Sequence, residues 1–85
     1  NYPNPFNPTT QIMYNVPNPS NVHLAIYDMT GREINTLVNG QRQVGQKSIS
    51  WDGRDNNGNL VSSGVYVYRI KTNNFVESKK MVFIR

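Results

Sequence analysis

The chain has 85 residues and a mass of 9.7 kDa, a length that allows one small domain. It contains no cysteine and one histidine, His23, which excludes disulfides and a Cys/His zinc site as stabilising elements. The net charge of +4 comes from cations scattered along the chain, a pattern that argues against a nucleic-acid-binding patch, and no apolar run approaches the roughly 18 residues of a transmembrane segment.

The first nine residues predict an extended arm ahead of the domain. Three of the five prolines lie here, and closely spaced prolines forbid helix and favour extended backbone. Because a free linker rarely contains two aromatic residues, Tyr2 and Phe6 are expected to dock on the domain. We therefore predict an arm or linker over residues 1–9 and a single domain over residues 10–85.

Short strand-like segments follow the arm. They cover residues 12–16, 22–26, 33–38, 47–51, 65–71 and 75–84. Some alternate apolar with polar residues, and residues 65–71 are apolar on both faces up to Arg69, as expected for a central strand. No window has helical spacing over ten or more residues, so these segments predict an antiparallel β-sandwich. The Asn39-Gly40 pair is typical of a tight hairpin turn. Trp51 is the predicted anchor between the sheets, because one indole can fill the space between two packed sheets.

The ionisable residues do not form a catalytic pattern. The five carboxylates lie mostly in predicted turns, and a chain of this size has little room for a cleft that holds two of them. His23 alternates with apolar neighbours, which predicts a solvent-facing strand position. Ser62 and Ser63 have no second histidine to activate them. We predict no enzymatic activity and no cofactor.

The segment from Asp52 to Asn59 is rich in oxygen-bearing side chains. Its spacing does not fit an EF-hand, because Gly53 occupies the first ligand position and no glutamate follows at the right distance. We expect a structural turn in which Asp52 or Asp55 pairs with a guanidinium and pins the loop across the end of the sandwich. The candidate partners are Arg54, Arg32 and Arg69. Calcium binding stays open as an alternative.

Aromatic residues on the predicted strands allow two interpretations. They are Tyr14, Tyr27, Tyr66, Tyr68 and Phe75. Tyrosine at alternate strand positions is typical of sheet packing, with the hydroxyl at the edge. The same residues could form a sugar-stacking face, which keeps a carbohydrate-binding accessory module as a lesser functional alternative.

Five strings of residues together resemble a known family. They run from Tyr2 to Thr10, from Ile26 to Arg32, from Trp51 to Gly58, from Ser63 to Arg69 and from Lys79 to Met81. In this order they look like the type A C-terminal sorting domain of type IX (Por) secretion substrates. They are also similar to the immunoglobulin-like domain of flagellar hook-capping proteins, which shares the Trp-Asp-Gly-Arg-Asp and Gly-Val-Tyr strings.

The first resemblance implies an all-β fold, an immunoglobulin-like antiparallel sandwich of about seven short strands. It implies a non-catalytic secretion signal of a Bacteroidota protein, joined to an upstream cargo domain. The partner would be the outer-membrane type IX secretion and sortase machinery. The location would be secreted or at the cell surface, reached through the periplasm. The rival hypothesis is an immunoglobulin-like adhesion or assembly module of a surface protein or fibre.

The resemblance also assigns recognition to particular residues. These are Gly31, Arg32, Gly64, Tyr66, Arg69, Lys79, Lys80 and Arg85. For the glycines, a purely structural role in turns is the alternative. For Lys79 and Lys80, the alternative is protection of an exposed strand edge. Structural roles are expected for Trp51, Asp52, Arg54, Asp55, Tyr2 and Phe6.

Overall fold

The computed structural model describes residues 9–85, and these residues form six β-strands and no helix. The all-β prediction is confirmed, with six strands instead of about seven. The strands are β1 (Thr10–Val16), β2 (Ser20–Tyr27), β3 (Glu33–Arg42), β4 (Gly45–Trp51), β5 (Gly64–Lys71) and β6 (Val76–Phe83). In β1 and β4, exposed side chains alternate with buried or half-buried ones because one face of each strand packs against the core.

The strands form two antiparallel sheets of unequal size. β1 pairs with β4 in a two-stranded sheet, and the other strands form a four-stranded sheet in the order β3-β2-β5-β6. The smaller sheet covers the inner face of the larger one. The outer face of the four-stranded sheet has no second sheet over it within the described residues.

The hairpin predicted at Asn39-Gly40 does not form. β3 continues through these residues to Arg42, and Gly40 lies opposite Val22 in the ladder with β2. β4 pairs with β1 and not with β3, so the chain crosses from one sheet to the other at residues 43–44. A longer ladder with β2 satisfies more backbone groups than a local turn would, which is why the strand overrides the turn signal.

The core lies between the sheets, and Trp51 is at its centre, as predicted. The indole is fully buried, with its ring centroid 5.3 Å from that of Tyr66 and 5.0 Å from that of Phe83. Its Nε1 donates a hydrogen bond of 2.9 Å to the carbonyl oxygen of Arg54. The Tyr66 hydroxyl donates to the carbonyl oxygen of Ser62 at 2.7 Å, so both polar groups are satisfied inside the core.

Two loops of the sandwich have the same five-residue architecture. The first runs from Asp28 to Arg32 between β2 and β3, and the second runs from Asp55 to Asn59. In each, the first residue's N–H donates to the fifth residue's carbonyl, and its carboxylate accepts from the N–H groups of the third and fifth residues. The fourth residue is a glycine with φ of +90° or +86°, a conformation that side chains disfavour.

The second loop also covers part of the edge of β3. The N–H of Asn56 donates to the carbonyl oxygen of Ile34 at 2.9 Å, and its Oδ1 accepts from the N–H of Thr36 at 3.1 Å. Asn35 Nδ2 donates to the carbonyl oxygen of Arg54 at 2.7 Å. The loop therefore pairs with part of β3 as a short strand would. It shields backbone groups of this edge strand, which could otherwise pair with another chain.

The predicted arm lies almost wholly outside the described residues. Tyr2 and Phe6 fall among residues 1–8, so their docking on the domain stays a prediction, as does the division between residues 1–9 and 10–85. A search of residues 9–85 finds no helix that is long and apolar enough to cross a membrane.

Candidate functional site

The outer face of the four-stranded sheet combines exposed cations with exposed apolar side chains. In β5, Tyr66 and Ile70 point into the core, so the alternate residues Val65, Val67, Arg69 and Lys71 point outward. The register of β6 on β5 places Val82, Lys80, Ser78 and Val76 beside them, in that order. These eight outward positions contain three cations and no carboxylate.

A concavity of about 460 Å³ lies on this face over β2 and β5. Its lining includes His23 and Tyr27 from β2, and Arg69 and Lys71 from β5. The sheet register places His23 beside Lys71 on one side and beside Asn39 on the other. None of the described residues in this lining is acidic, so the concavity has a positive potential.

A second concavity, of about 280 Å³, continues the first toward the β2–β3 loop. It is lined by Asp28, Met29, Gly31 and Val67, and it shares Tyr27 and Arg69 with the first concavity. Met29 is 56% exposed and adds apolar surface to this concavity at the loop. We call the two concavities together the outer-face groove. It has a basic half, an apolar half, and Tyr27 and Arg69 between them.

The carboxylate of Asp28, at the apolar end of the groove, accepts hydrogen bonds from donors of its own loop. Its Oδ1 accepts hydrogen bonds from the Thr30 hydroxyl at 2.6 Å, the Thr30 N–H at 2.9 Å and the Arg32 N–H at 3.0 Å. The Arg32 guanidinium lies 3.3 Å from Oδ2. The Thr30 hydroxyl, with the backbone donors and the Arg32 charge, lowers the pKa of Asp28 from its usual 3.8. The ionised carboxylate therefore holds the loop that carries Met29.

Replacing Asp28 by asparagine is expected to destabilise the chain at neutral pH and to have little effect at acidic pH. A lowered folded-state pKa contributes stability above the unfolded value, and this stability is lost as the pH falls through the folded value. Melting temperatures of the two proteins, measured from pH 7 down to pH 2, should therefore converge at the acidic end. A constant difference across this range would contradict the role given to the ionised carboxylate.

The structure brings some of the predicted recognition residues together and separates others. Gly31 and Arg69 line the groove, Arg32 is exposed beside it, and Lys80 lies on the same face opposite Val67. Lys79 occupies the opposite face of β6, although it is adjacent to Lys80 in sequence. The other predicted residues lie away from the groove.

Those other residues contribute to the sandwich itself. Tyr66 is buried beside Trp51, and Gly64 begins β5 opposite Phe83. The N–H of Arg85 donates to Ser63 Oγ at 3.0 Å, which extends the pairing of β5 and β6 beyond the last strand residue. The recognition roles of all eight residues stay untested predictions.

The loop from Asp52 to Asn59 is a structural turn. Asp52 pairs with Arg54 across 3.7 Å at an exposed position, whereas Asp55 binds backbone N–H groups of its own loop and no guanidinium. Arg54 Nη1 also donates to the carbonyl oxygen of Gly58 at 3.0 Å. Across residues 9–85, no three His, Asp or Glu side chains lie together in a way that could hold a metal ion.

The predicted sugar-stacking residues do not share one face. Tyr66 is in the core and Tyr27 lies in the outer-face groove, whereas Tyr14, Tyr68 and Phe75 line a cleft of about 320 Å³ beside β6. Tyr14 is only 8% exposed, so it offers little ring surface to a sugar. The packing role of these aromatic residues agrees with their burial.

Several residues of the groove were not predicted from the sequence. His23 was expected only to face solvent, Tyr27 was considered only for sheet packing or sugar stacking, and Met29 received no role. Asp28-Met-Thr-Gly31 and Asp55-Asn-Asn-Gly58 share an Asp-x-x-Gly pattern. This repeated pattern predicts two loops of the same conformation, and the first of them carries Met29. Nothing in the sequence predicts the groove itself, because residues of three separate strands and two loops form it.

Comparison with known proteins identifies the family. The model of the FlgD Ig-like domain matches residues 7–75. The chain belongs to the FlgD Ig-like domain family. A crystal structure of FlgD from P. aeruginosa is similar with a TM-score of 0.70 and 30% identity, over 88% of this chain. The chain spans 58% of the length of that P. aeruginosa chain. No curated protein matches it.

These findings correct the sorting-domain interpretation. The immunoglobulin-like fold and the similarity to hook-capping proteins are confirmed, but the family model is that of FlgD and not that of a type IX sorting domain. The predicted secretion-signal function, its type IX and sortase partners and its Bacteroidota assignment are therefore wrong. The two families share turn and strand strings, and the extra resemblance rested on the proline-rich opening and on Lys79 to Met81.

Proposed function

We propose that the chain is a non-enzymatic assembly module that acts as the immunoglobulin-like part of a flagellar hook-capping protein. The observation that carries this proposal is the match of residues 7–75 to the FlgD Ig-like domain. The identity of 30% to FlgD of P. aeruginosa, over most of the chain, supports it further. In this role the module contacts other protein subunits of an assembly and transforms no substrate.

The use of the polar side chains agrees with a structural role. The carboxylates of Asp28 and Asp55 accept backbone hydrogen bonds in their own loops, and Asp52 pairs with Arg54. These groups stabilise turns, and none is aimed at a shared cleft where two carboxylates could act on one substrate.

We also place the module outside the cytoplasm, at the cell surface, as its low charge content of 16% suggests.

A domain exchange tests the proposal. The part of P. aeruginosa FlgD that aligns with this chain is replaced by this chain, and the chimera is expressed in a strain without FlgD. We expect hooks to be restored, because the exchanged module has the same fold and overlaps over 88% of this chain. Hooks are counted by electron microscopy, and swimming is measured in soft agar.

The matched control is the same chimera with Trp51→Ala, which removes the buried anchor and should abolish hook formation. A FlgD chain without the exchanged part shows whether the module is needed at all. Cells that export a folded chimera at the normal level and still have no hooks would contradict the proposed function.

A further inference from the structure

Four of the nine cations of the chain lie on β5 and β6. These strands and their connecting loop contain Arg69, Lys71, Lys79 and Lys80, and a single carboxylate, Glu77. Glu77 lies opposite the buried Ile70 and so belongs to the inner face. On the outer face, Arg69, Lys71 and Lys80 have no carboxylate beside them in the ladder.

These outward cations are not used to stabilise the domain. The two ion pairs formed within residues 9–85 join Arg32 to Asp28 and Arg54 to Asp52, and neither includes a cation of β5 or β6. Three like charges on one face repel each other, a cost that an acidic partner would remove. The charge distribution therefore points to a negatively charged ligand.

Apolar surface lies next to this charge. Val82 is 63% exposed, and it stands opposite Val65, which is 43% exposed, at the end of the sheet where Ile84 continues the chain. Met29 adds exposed apolar surface at the groove. Adjacent exposed apolar side chains are typical of protein interaction sites, and methionine adapts to different partners. A ligand that fits this face has apolar groups as well as negative charge.

We infer that the outer-face groove binds an extended segment of a partner protein whose sheet-facing side chains are acidic at one end and apolar at the other. The acidic side chains contact Arg69, Lys71 and Lys80, and the apolar ones contact Met29 and Val67. The groove follows β5 from Val67 to Lys71, which corresponds to about five residues of an extended peptide. This inference rests on the proposed function, because an assembly module needs a surface for another subunit.

Other occupants fit this face less well. A second copy of the chain, related by a two-fold axis, would bring the same basic face of both copies together. A sugar chain needs aromatic rings to stack on, and Tyr27 is the one aromatic residue among the described residues that line the groove. A protein segment uses both the charge and the apolar surface.

The test measures binding of labelled peptides to the full 85-residue chain. The probe is a fluorescent hexapeptide of three glutamates followed by three leucines, and the comparison peptide has lysine in place of glutamate. Fluorescence anisotropy gives the affinity, and amide chemical shifts locate the site. We expect the glutamate peptide to bind and the lysine peptide not to bind. The largest changes in amide chemical shift should be those of Tyr27, Val67 and Arg69.

Lys79 and Lys80 provide a matched pair of variants. Lys80→Gln should weaken binding of the glutamate peptide by about fivefold, and Arg69→Gln together with Lys80→Gln by about tenfold or more. Lys79→Gln removes the same charge from the opposite face and should leave the affinity unchanged. Circular dichroism verifies that each variant is folded.

Several results would overturn the inference. Equal losses for Lys79→Gln and Lys80→Gln would show general charge attraction, and shifts outside the groove would show a different site. Binding of heparin fragments in the groove without binding of the peptide would assign it to anionic glycans. If the chimera builds hooks but the peptide does not bind, the inference alone fails. If the peptide binds but hooks are absent, the proposed function fails instead.

Discussion

Replacing Trp51 by alanine is expected to lower the free energy of unfolding by about 3–5 kcal/mol. The indole is fully buried and contacts the rings of Tyr66 and Phe83, so its removal leaves a cavity that joins both sheets. A domain of this size has a total stability of about 5 kcal/mol. About 0–2 kcal/mol would then remain, so the variant should unfold at a much lower temperature and urea concentration than the wild type. Thermal and urea unfolding, followed by circular dichroism, measure the loss.

Trp51→Phe separates packing from hydrogen bonding at the same position. It keeps an aromatic ring between the sheets and loses the Nε1 donor, which contributes about 1 kcal/mol. The carbonyl oxygen of Arg54 then still accepts from Asn35 Nδ2 at 2.7 Å, so no buried acceptor is left unpaired. We expect a clearly smaller loss than for alanine. A melting curve of Trp51→Ala close to that of the wild type would show that Trp51 is not the anchor.

Replacing Gly53 by alanine is expected to be the second most damaging change. Gly53 has φ of +80°, where a Cβ atom costs about 1–2 kcal/mol. The added Cβ would also overlap the ring of Phe83, which packs against Trp51. Overpacking of this kind costs about 1–3 kcal/mol more, because Phe83 must move out of a filled core. Urea unfolding gives the free-energy difference directly.

Gly58→Ala is the control for the backbone part of this effect. Gly58 has a similar φ of +86°, but a Cβ built there meets no atom within 4 Å. It should therefore lose about 1–2 kcal/mol, from the backbone conformation alone. Phe83→Leu should reduce the further penalty of Gly53→Ala, because the two residues share one space. Equal losses at Gly53 and Gly58 would refute the steric contact with Phe83.

The all-β fold could be predicted because strand formation is a local property with a period of two. Ile12, Tyr14 and Val16 stand at every second position, with polar Gln11 and Asn15 beside them, and all three are buried in β1. Trp51 could be assigned to the core for a similar reason, since a large aromatic residue at the end of an alternating strand has few other places in a small protein. Tyr66 was expected to pack in a sheet, and its burial agrees.

Strand pairing could not be predicted in the same way, because it depends on residues far apart in the chain. Asn39-Gly40 has the composition of a turn, but the ladder between β2 and β3 extends through it. β3 and β4 are neighbours in sequence and belong to different sheets. The Asn-Gly pair indicates only that the chain can reverse its direction easily at that point. The ladder that forms instead gains hydrogen bonds to residues of β2, which are far away in the sequence.

The candidate site shows the same limit. Lys79 and Lys80 form one charged pair in the sequence, but strand geometry sends their side chains to opposite faces of the sheet. Arg69 was assigned to recognition through a resemblance whose function the comparisons contradict, and only the structure places it beside Tyr27 and Gly31. The concavity exists because β2, β5 and the Asp28–Arg32 loop meet there.

The sequence alone determined that this chain of 85 residues is a small all-β domain without disulfide or zinc stabilisation, centred on Trp51 and rich in glycine-containing turns. Composition and short periodic patterns are sufficient for these properties, because they depend on near neighbours. The tertiary structure decided which strands pair, that the two aspartate loops share one conformation, and that Arg69, Lys71 and Lys80 lie on one uncovered face. These depend on contacts between distant residues, which only the folded chain brings together.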